Sequence, residues 1–433
     1  MEGIPTERLV TSVQKSKSKN KHETLKLIVI LGASMLTIMG AAAIAPALPE
    51  MLKFFADVPN AGLFVSMVVT LPALGIIISS PFIGVLADKY SRKKMLIVAL
   101  AIFGFVGASG AVLNSLYMIL ACRVLLGIGI SGMTICATAL LADNYSGVEL
   151  RKKMGLQSAC MGFGAVILEI TGGALADISW HAPFYIYLIS LVLIPGALIS
   201  ISSSKNNPVL EKNELKNNKP HGHAHRLEKW NLDLKSIALI YIATIVMMVL
   251  FFSVPTKLPF VLDEKGIDSA LLIGALISIP GLFATFGALS HIRISGFISE
   301  IKTNVFFFMI LGAGVFTLSI VSNMTILIAG LIVTGIAFGI INATNLSWLG
   351  RIAPEQMRGK IFSGYATVLF FGQFICPIVI QPILKTGTLY DAYAFLGIAA
   401  IALGIVFGIV NVMGIIEQTP VITEHHVAIG IEE

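Results

Sequence analysis

Charge is what this sequence has least of. Only 12% of its 433 residues are Asp, Glu, Lys or Arg, where an average soluble domain carries about 25%. The apolar share is 56% and the mean hydropathy +0.88. No ordinary core hides that excess, so lipid must be the solvent for much of the chain. Cysteine is also scarce. The four present, Cys122, Cys136, Cys160 and Cys376, all fall inside apolar runs. They read as small packing residues, which leaves no disulfide framework and no metal site. Missing too are a Gly-rich phosphate loop, a His-Glu-x-x-His pair and a Gly-x-Ser-x-Gly elbow. ATP-driven transport and membrane hydrolysis are therefore unsupported, and neither enzymatic activity nor a cofactor is expected. Ten-residue segments of alternating hydrophobicity are absent as well, which excludes a membrane barrel.

What the chain does have is long apolar runs. Crossing about 30 Å of hydrocarbon as helix takes roughly 20 apolar residues. Such stretches lie at Leu25–Leu48, Ala61–Ala87, Met95–Val112, Tyr117–Leu141, Gly155–Ala176 and Pro183–Ser203. Six more lie at Ser236–Val254, Ala270–Leu289, Asn304–Val321, Met324–Leu346, Phe362–Leu384 and Ala392–Met413. The fold class is an all-α membrane protein of twelve transmembrane helices in two six-helix bundles.

The expected domains are an N-terminal tail (1–24), a first bundle (25–203), a linker (204–235), a second bundle (236–414) and a C-terminal tail (415–433). Placing the N-terminus inside puts 25 of the 30 Lys and Arg residues on inner segments. Only Lys53, Lys257, Lys265 and Lys385 then read as outer-loop cations, and Arg123 falls within a span. That bias predicts a multi-pass plasma-membrane protein with both termini and the linker cytoplasmic. The net charge of +6 belongs to loops beside anionic lipid and implies no nucleic-acid partner. The polar N-terminal tail argues against a cleavable signal peptide. His221-Gly222-His223-Ala224-His225 in the linker reads as an incidental polar tract, without the Cys or spacing of a metal site.

One short loop carries more chemistry than membrane crossing needs. Gly84-Val85-Leu86-Ala87-Asp88-Lys89-Tyr90-Ser91-Arg92-Lys93-Lys94 holds a Gly, an Asp and four cations between two apolar runs. Gly84 suits close approach of a neighbouring helix. Asp88 can accept hydrogen bonds from a helix N-terminus or from Arg92, giving a conformational latch of Gly84, Asp88 and Arg92. In the second half Gly287-Ala288-Leu289-Ser290-His291 reads as a degenerate counterpart, with His291 where the Asp would stand.

The loop resembles the Gly-x-Leu-Ala-Asp-Arg-x-Gly-Arg-Lys motif of the major facilitator superfamily. Lys89 replaces an Arg and Ser91 a Gly. Ala45-Pro46-Ala47-Leu48-Pro49, Arg123-Val124-Leu125-Leu126-Gly127, Trp180 to Phe184, and Arg358-Gly359-Lys360 with Gly372-Gln373 and Pro377 extend the likeness. Within the superfamily the chain is similar to the twelve-span drug/proton antiporters. That resemblance implies a monomeric secondary transporter exporting small amphipathic or lipophilic compounds by alternating access, in exchange for protons. It departs in the fifth span, where the antiporter pattern Gly-Pro-x-x-Gly-Gly reads Leu168-Glu169-Ile170-Thr171-Gly172-Gly173.

Arg123 and Glu169 are the clearest charges within spans. Each is disfavoured at a helix centre by about 2.5–3.5 kcal/mol on insertion scales, which makes each a functional candidate. Arg123 shares a helical stripe with Gly127, Ser131 and Thr134, and Glu169 with Gly162, Ala165, Gly172 and Gly173. Both lie roughly 10 Å from the outer ends of their spans at 1.5 Å per residue. They either pair or flank a substrate, with Glu169 as the proton-coupling group. The cavity lining reads as Met35 and Met39 with Tyr241, Thr244, Met248, Asn342, Asn345 and Gln373. That neutral, adaptable wall suits a lipophilic or weakly polar small molecule. Other readings remain open: sugar or metabolite transport, a lipid or glycolipid flippase, or a non-transporting sensor.

Overall fold

Inside hydrocarbon every backbone N–H and C=O must be paired within the protein, and a helix does this within one segment. Residues 22–38, 40, 43–201, 233–321, 323–354 and 357–414 are described in a computed structural model. Met39, the Asp88 side chain and the linker His tract lie outside the described residues.

The first span, α1, is helical over 22–38 and continues after a break as a 3₁₀ turn (Ala45–Ala47) and a short helix (Leu48–Phe54). Then follow α2 (Ala61–Lys89), α3 (Arg92–Ala108), α4 (Leu116–Asn144) and α5 (Gly147–Ala176). The sixth span, α6, opens as a 3₁₀ turn (Ala182–Leu188) and becomes α-helical at Ile189–Ser200. After the linker come α7 (Leu234–Glu264), α8 (Ala270–Ile294), α9 (Glu300–Thr317), α10 (Met324–Ile352), α11 (Arg358–Thr386) and α12 (Leu389–Val412). Eleven of these are long and apolar enough to cross a membrane among the described residues, and α1 makes the twelfth. Large side chains such as Phe82, Phe105, Val192 and Val412 stand exposed on the perimeter, where lipid covers them.

One boundary differs from the sequence reading in a way that matters. Pro255 and Pro259 look like the end of the seventh span, which leaves Lys257 in an outer loop. Instead α7 runs through both prolines to Glu264, and Lys257 is buried at 3% exposure. Neighbouring helices re-satisfy the backbone groups that a proline frees, so proline does not stop a membrane helix as it stops a soluble one.

The two bundles repeat in a fixed register. Helix α3 starts at Arg92 and α9 at Glu300; α4 spans Leu116–Asn144 and α10 Met324–Ile352. Each pair of positions differs by 208 residues (300 less 92, 324 less 116, 352 less 144). Packing follows the same register. A Cβ on Gly127 would lie 2.2 Å from the Pro72 carbonyl oxygen, and one on Gly335 2.5 Å from that of Pro280. Small residues thus let α4 sit on α2, and α10 on α8, at backbone contact. At the linker end Arg92 pairs with Asp143, and in the same register Glu300 pairs with Arg351 with the charges exchanged.

This register revises one expectation about the loop motif. The counterpart of Asp88 is Gly296, not His291, which is buried on α8 and hydrogen-bonded to Thr344 at 3.1 Å. Arg92 is held by Asp143 and by the Ala139 carbonyl (3.0 Å) on α4. Because the pair is partly exposed, Arg92→Glu and Asp143→Arg should each lower stability by about 1 kcal/mol or less. The double variant, which copies the polarity of the second bundle, should recover most of that loss in thermal unfolding of purified protein.

Candidate functional site

The bundles meet along two seams, α5 on α8 and α2 on α11, with α7 reaching α2 and the end of α1. In the first seam two glycines, Gly173 and Gly274, bring the backbones of the two bundles together, and Gly172 packs beside them within the first bundle. A Cβ on Gly172 would lie 2.0 Å from the Ala43 carbonyl oxygen, on Gly173 2.4 Å from that of Ala270, and on Gly274 2.4 Å from that of Glu169. Of the pair Gly172-Gly173, therefore, only Gly173 contributes to the seam. At its end the Asp177 carboxylate accepts from the backbone N–H groups of Ala270 (2.6 Å) and Leu271 (3.2 Å) in the other bundle.

Lys257 crosses between the bundles at α2 and α7. Its ammonium donates to Ser66 Oγ at 2.9 Å, and that hydroxyl reaches the Thr256 carbonyl at 3.5 Å. Closer to water, Lys53 pairs with Asp263 at 2.7 Å. All these cross-bundle bonds lie at the end away from the linker, called here the far end. The linker-end pairs of Arg92, Asp143, Glu300 and Arg351 stay within one bundle. The structure is thus closed at the far end. At the linker end a Cβ on Gly84 would meet nothing within 4 Å, so no helix approaches it closely in this conformation.

Glu169 lies in the α5–α8 seam, buried, and among the described residues its carboxyl group makes no hydrogen bond or ion pair. Arg123 is not its partner. That guanidinium donates to Tyr187 Oη at 2.8 Å and to the Gly107 carbonyl at 3.4 Å, and lies 4.7 Å from the centre of the Phe184 ring. It is 1% exposed, fixed among α3, α4 and α6 within the first bundle. Of the two charges that the sequence singled out, one is therefore bound inside a bundle, and the other lies between the bundles without a partner among the described residues.

The neutral candidates fall into two groups. In the second bundle Tyr365 donates to Asn342 Oδ1 at 2.8 Å, Asn345 reaches Thr244 at 3.5 Å, and Tyr241 donates to the Ile361 carbonyl at 2.6 Å. Asn345 Oδ1 is buried without a partner among the described residues. Met248 and Gln373 are buried beside this group on α7 and α11. Met35 sits in the first bundle, where a Cβ on Gly164 would lie 2.3 Å from it.

Three residues were missed by the sequence reading. Gln157 is buried on α5 and donates to Ser34 Oγ (2.8 Å) and Thr138 Oγ1 (3.4 Å), joining α5 to α1 and α4. It occupies the register position of Tyr365 (365 less 157 is 208), so each bundle carries a hydrogen-bonding cluster at the same depth. A lone amide in an apolar span was the available signal. Asp177, four residues past Gly173, stood out only as a carboxylate at the end of a span, with nothing to name its partner, whereas Lys257 was concealed by its prolines. Beyond Asp177, His181 stacks on Trp180 at 3.6 Å, and burial holds its imidazole below the ordinary range. It brings no positive charge to this end at neutral pH.

A family profile described as Major Facilitator Superfamily matches residues 30–377. The tetracycline resistance protein class C of Escherichia coli is 32% identical over 182 residues, 41% of this chain and 46% of that protein. The chain therefore matches about half the length of that relative. The bacillibactin exporter of Bacillus subtilis is 26% identical over 375 residues, covering 83% of this chain and 90% of that one. Among solved structures, the xylose transporter XylE of E. coli, described as inward open, superposes with a TM-score of 0.68 at 14% identity. The superposition covers 89% of this chain and 96% of that one. At that identity the likeness shows the fold alone.

Proposed function

The chain belongs to the major facilitator superfamily, and from that premise we propose that it exports small amphipathic or lipophilic compounds in exchange for protons. The observation that carries this reading is Glu169, a buried carboxyl group without a partner among the described residues, at one of the two seams between the bundles. A group whose surroundings change as access alternates can take up a proton on one side and release it on the other. The cargo would sit between the two hydrogen-bonding clusters, around Gln157 and around Asn345, against the methionines. Few charges line that space, which suits a neutral or lipophilic compound over a phosphorylated one. The relatives named as resistance proteins and exporters support export.

In this reading the linker end faces the cytoplasm of the plasma membrane, as the Lys and Arg bias expects, and the far end faces out. The chain works as a monomer, with a small-molecule substrate, protons and the surrounding lipid as its partners. The two neutral polar clusters also favour a second reading, proton-coupled sugar transport.

One assay tests both. Inverted membrane vesicles containing the protein are given an acid interior and offered ethidium or xylose. Ethidium accumulation that dissipates the gradient is the expected result. Xylose movement without ethidium movement would replace export by the sugar reading, and movement of neither would remove both.

A further inference from the structure

Helix α8, like any helix, starts with four amides that its own backbone cannot satisfy, three of them on Ala270, Leu271 and Leu272. Its N-cap Ser269 takes one, accepting from Leu272 N–H at 3.3 Å. The other two, on Ala270 and Leu271, donate to Asp177, and Ser269 Oγ lies 3.5 Å from the same carboxylate. Asp177 is the C-cap residue of α5 in the opposite bundle. The first turn of α8 is therefore completed by a side chain that must leave whenever the far end opens.

We propose that Asp177 is the latch of the far-end gate, a detachable cap whose seating on α8 holds the bundles closed there. The arrangement favours this role over a local structural one. Asp177 is exposed, so its own bundle does not depend on it for packing. Its side-chain bonds run only between bundles, and a carboxylate at a helix N-terminus gains from the positive end of the helix dipole. Lys257–Ser66 and Lys53–Asp263 cross on the other side of the gate, so all must release together. This rests on the alternating-access reading but not on any particular cargo.

The test needs no substrate. Ser66, fully buried where α2 meets α7, becomes the reporter through Ser66→Cys, with labelling by a water-soluble maleimide in lipid nanodiscs. Adding Asp177→Ala is expected to speed labelling at position 66 about tenfold, through a shift in the open-to-closed ratio of about 1.4 kcal/mol. Asp177→Asn keeps one acceptor oxygen and loses the charge, so it should fall between. Native Cys136, fully buried within the first bundle, must stay unlabelled throughout, which reports an intact fold. Equal rates at position 66 in all three proteins would overturn the latch. If the Ala variant fails to fold, the Asn variant alone decides. Because no dye or sugar takes part, failure here leaves the export reading standing, and failure of export leaves this result standing.

Discussion

Glu169→Gln is expected to bring proton-driven dye accumulation in inverted vesicles to background while leaving the protein as stable as before. The two halves of that expectation have separate causes. Glutamine keeps the shape of glutamate and removes its ability to carry a proton. If Glu169 is where protons cross, no coupling survives. Stability should hold because the native carboxyl group makes no hydrogen bond or ion pair among the described residues, so no partner is orphaned by the change. A charge within a span is unfavourable by a few kcal/mol, so the unfolding temperature should stay level or rise. The measurement is a pair: dye accumulation under an imposed gradient, and thermal unfolding of the same purified protein. A variant that unfolds earlier would show Glu169 to be structural, and one that transports at the native rate would remove it from the coupling path. Dye exchange without a gradient should persist, since the cavity clusters around Gln157 and Asn345 are untouched.

Twelve spans and two bundles follow from apolar length alone, because lipid permits so few alternatives. Glu169 stood out because a carboxylate in an apolar run conflicts with its surroundings, and that conflict is visible without coordinates. Arg123 stood out for the same reason, yet its role was not legible. Whether a membrane charge is bound or free depends on partners far away in sequence, here Tyr187 and Gly107. Lys257 was hidden because proline rules learned in water mark Pro255 and Pro259 as breaks. The repeat was hidden more deeply. Its 208-residue register lives in backbone contacts at Gly127 and Gly335, which leave only a matching Gly and Pro, and in an ion pair with exchanged signs, which leaves no matching letter. The motif reading consequently paired Asp88 with His291, a position five residues short of the true counterpart. The far-end cap was unreadable for a further reason. Asp177 and the start of α8 are 93 residues apart, and no local pattern announces which helix end a carboxylate will reach.

Two glycine substitutions of the same size should have opposite consequences, and this separates permanent contacts from contacts that break in each cycle. Gly127→Ala places a methyl group 2.2 Å from the Pro72 carbonyl oxygen, inside the first bundle. Gly274→Ala places one 2.4 Å from the Glu169 carbonyl oxygen, between the bundles. A helix carbonyl cannot swing aside alone, so in both cases whole helices must separate. Within a bundle α2 and α4 have no second arrangement. Overpacking there costs about 1–3 kcal/mol, and Gly127→Ala should lower the thermal unfolding temperature and the yield of folded protein. Between the bundles the alternating-access reading supplies a parted arrangement, so the strain can be relieved by opening. Gly274→Ala should unfold at close to the native temperature, yet in the Ser66→Cys background label at least tenfold faster and transport dye at least tenfold more slowly. Transport falls because a gate that cannot shut at the far end cannot return its site to the linker end. If Gly274→Ala instead lowers the unfolding temperature as far as Gly127→Ala and leaves labelling unchanged, the α5–α8 seam is a fixed contact. The moving interface would then have to lie elsewhere.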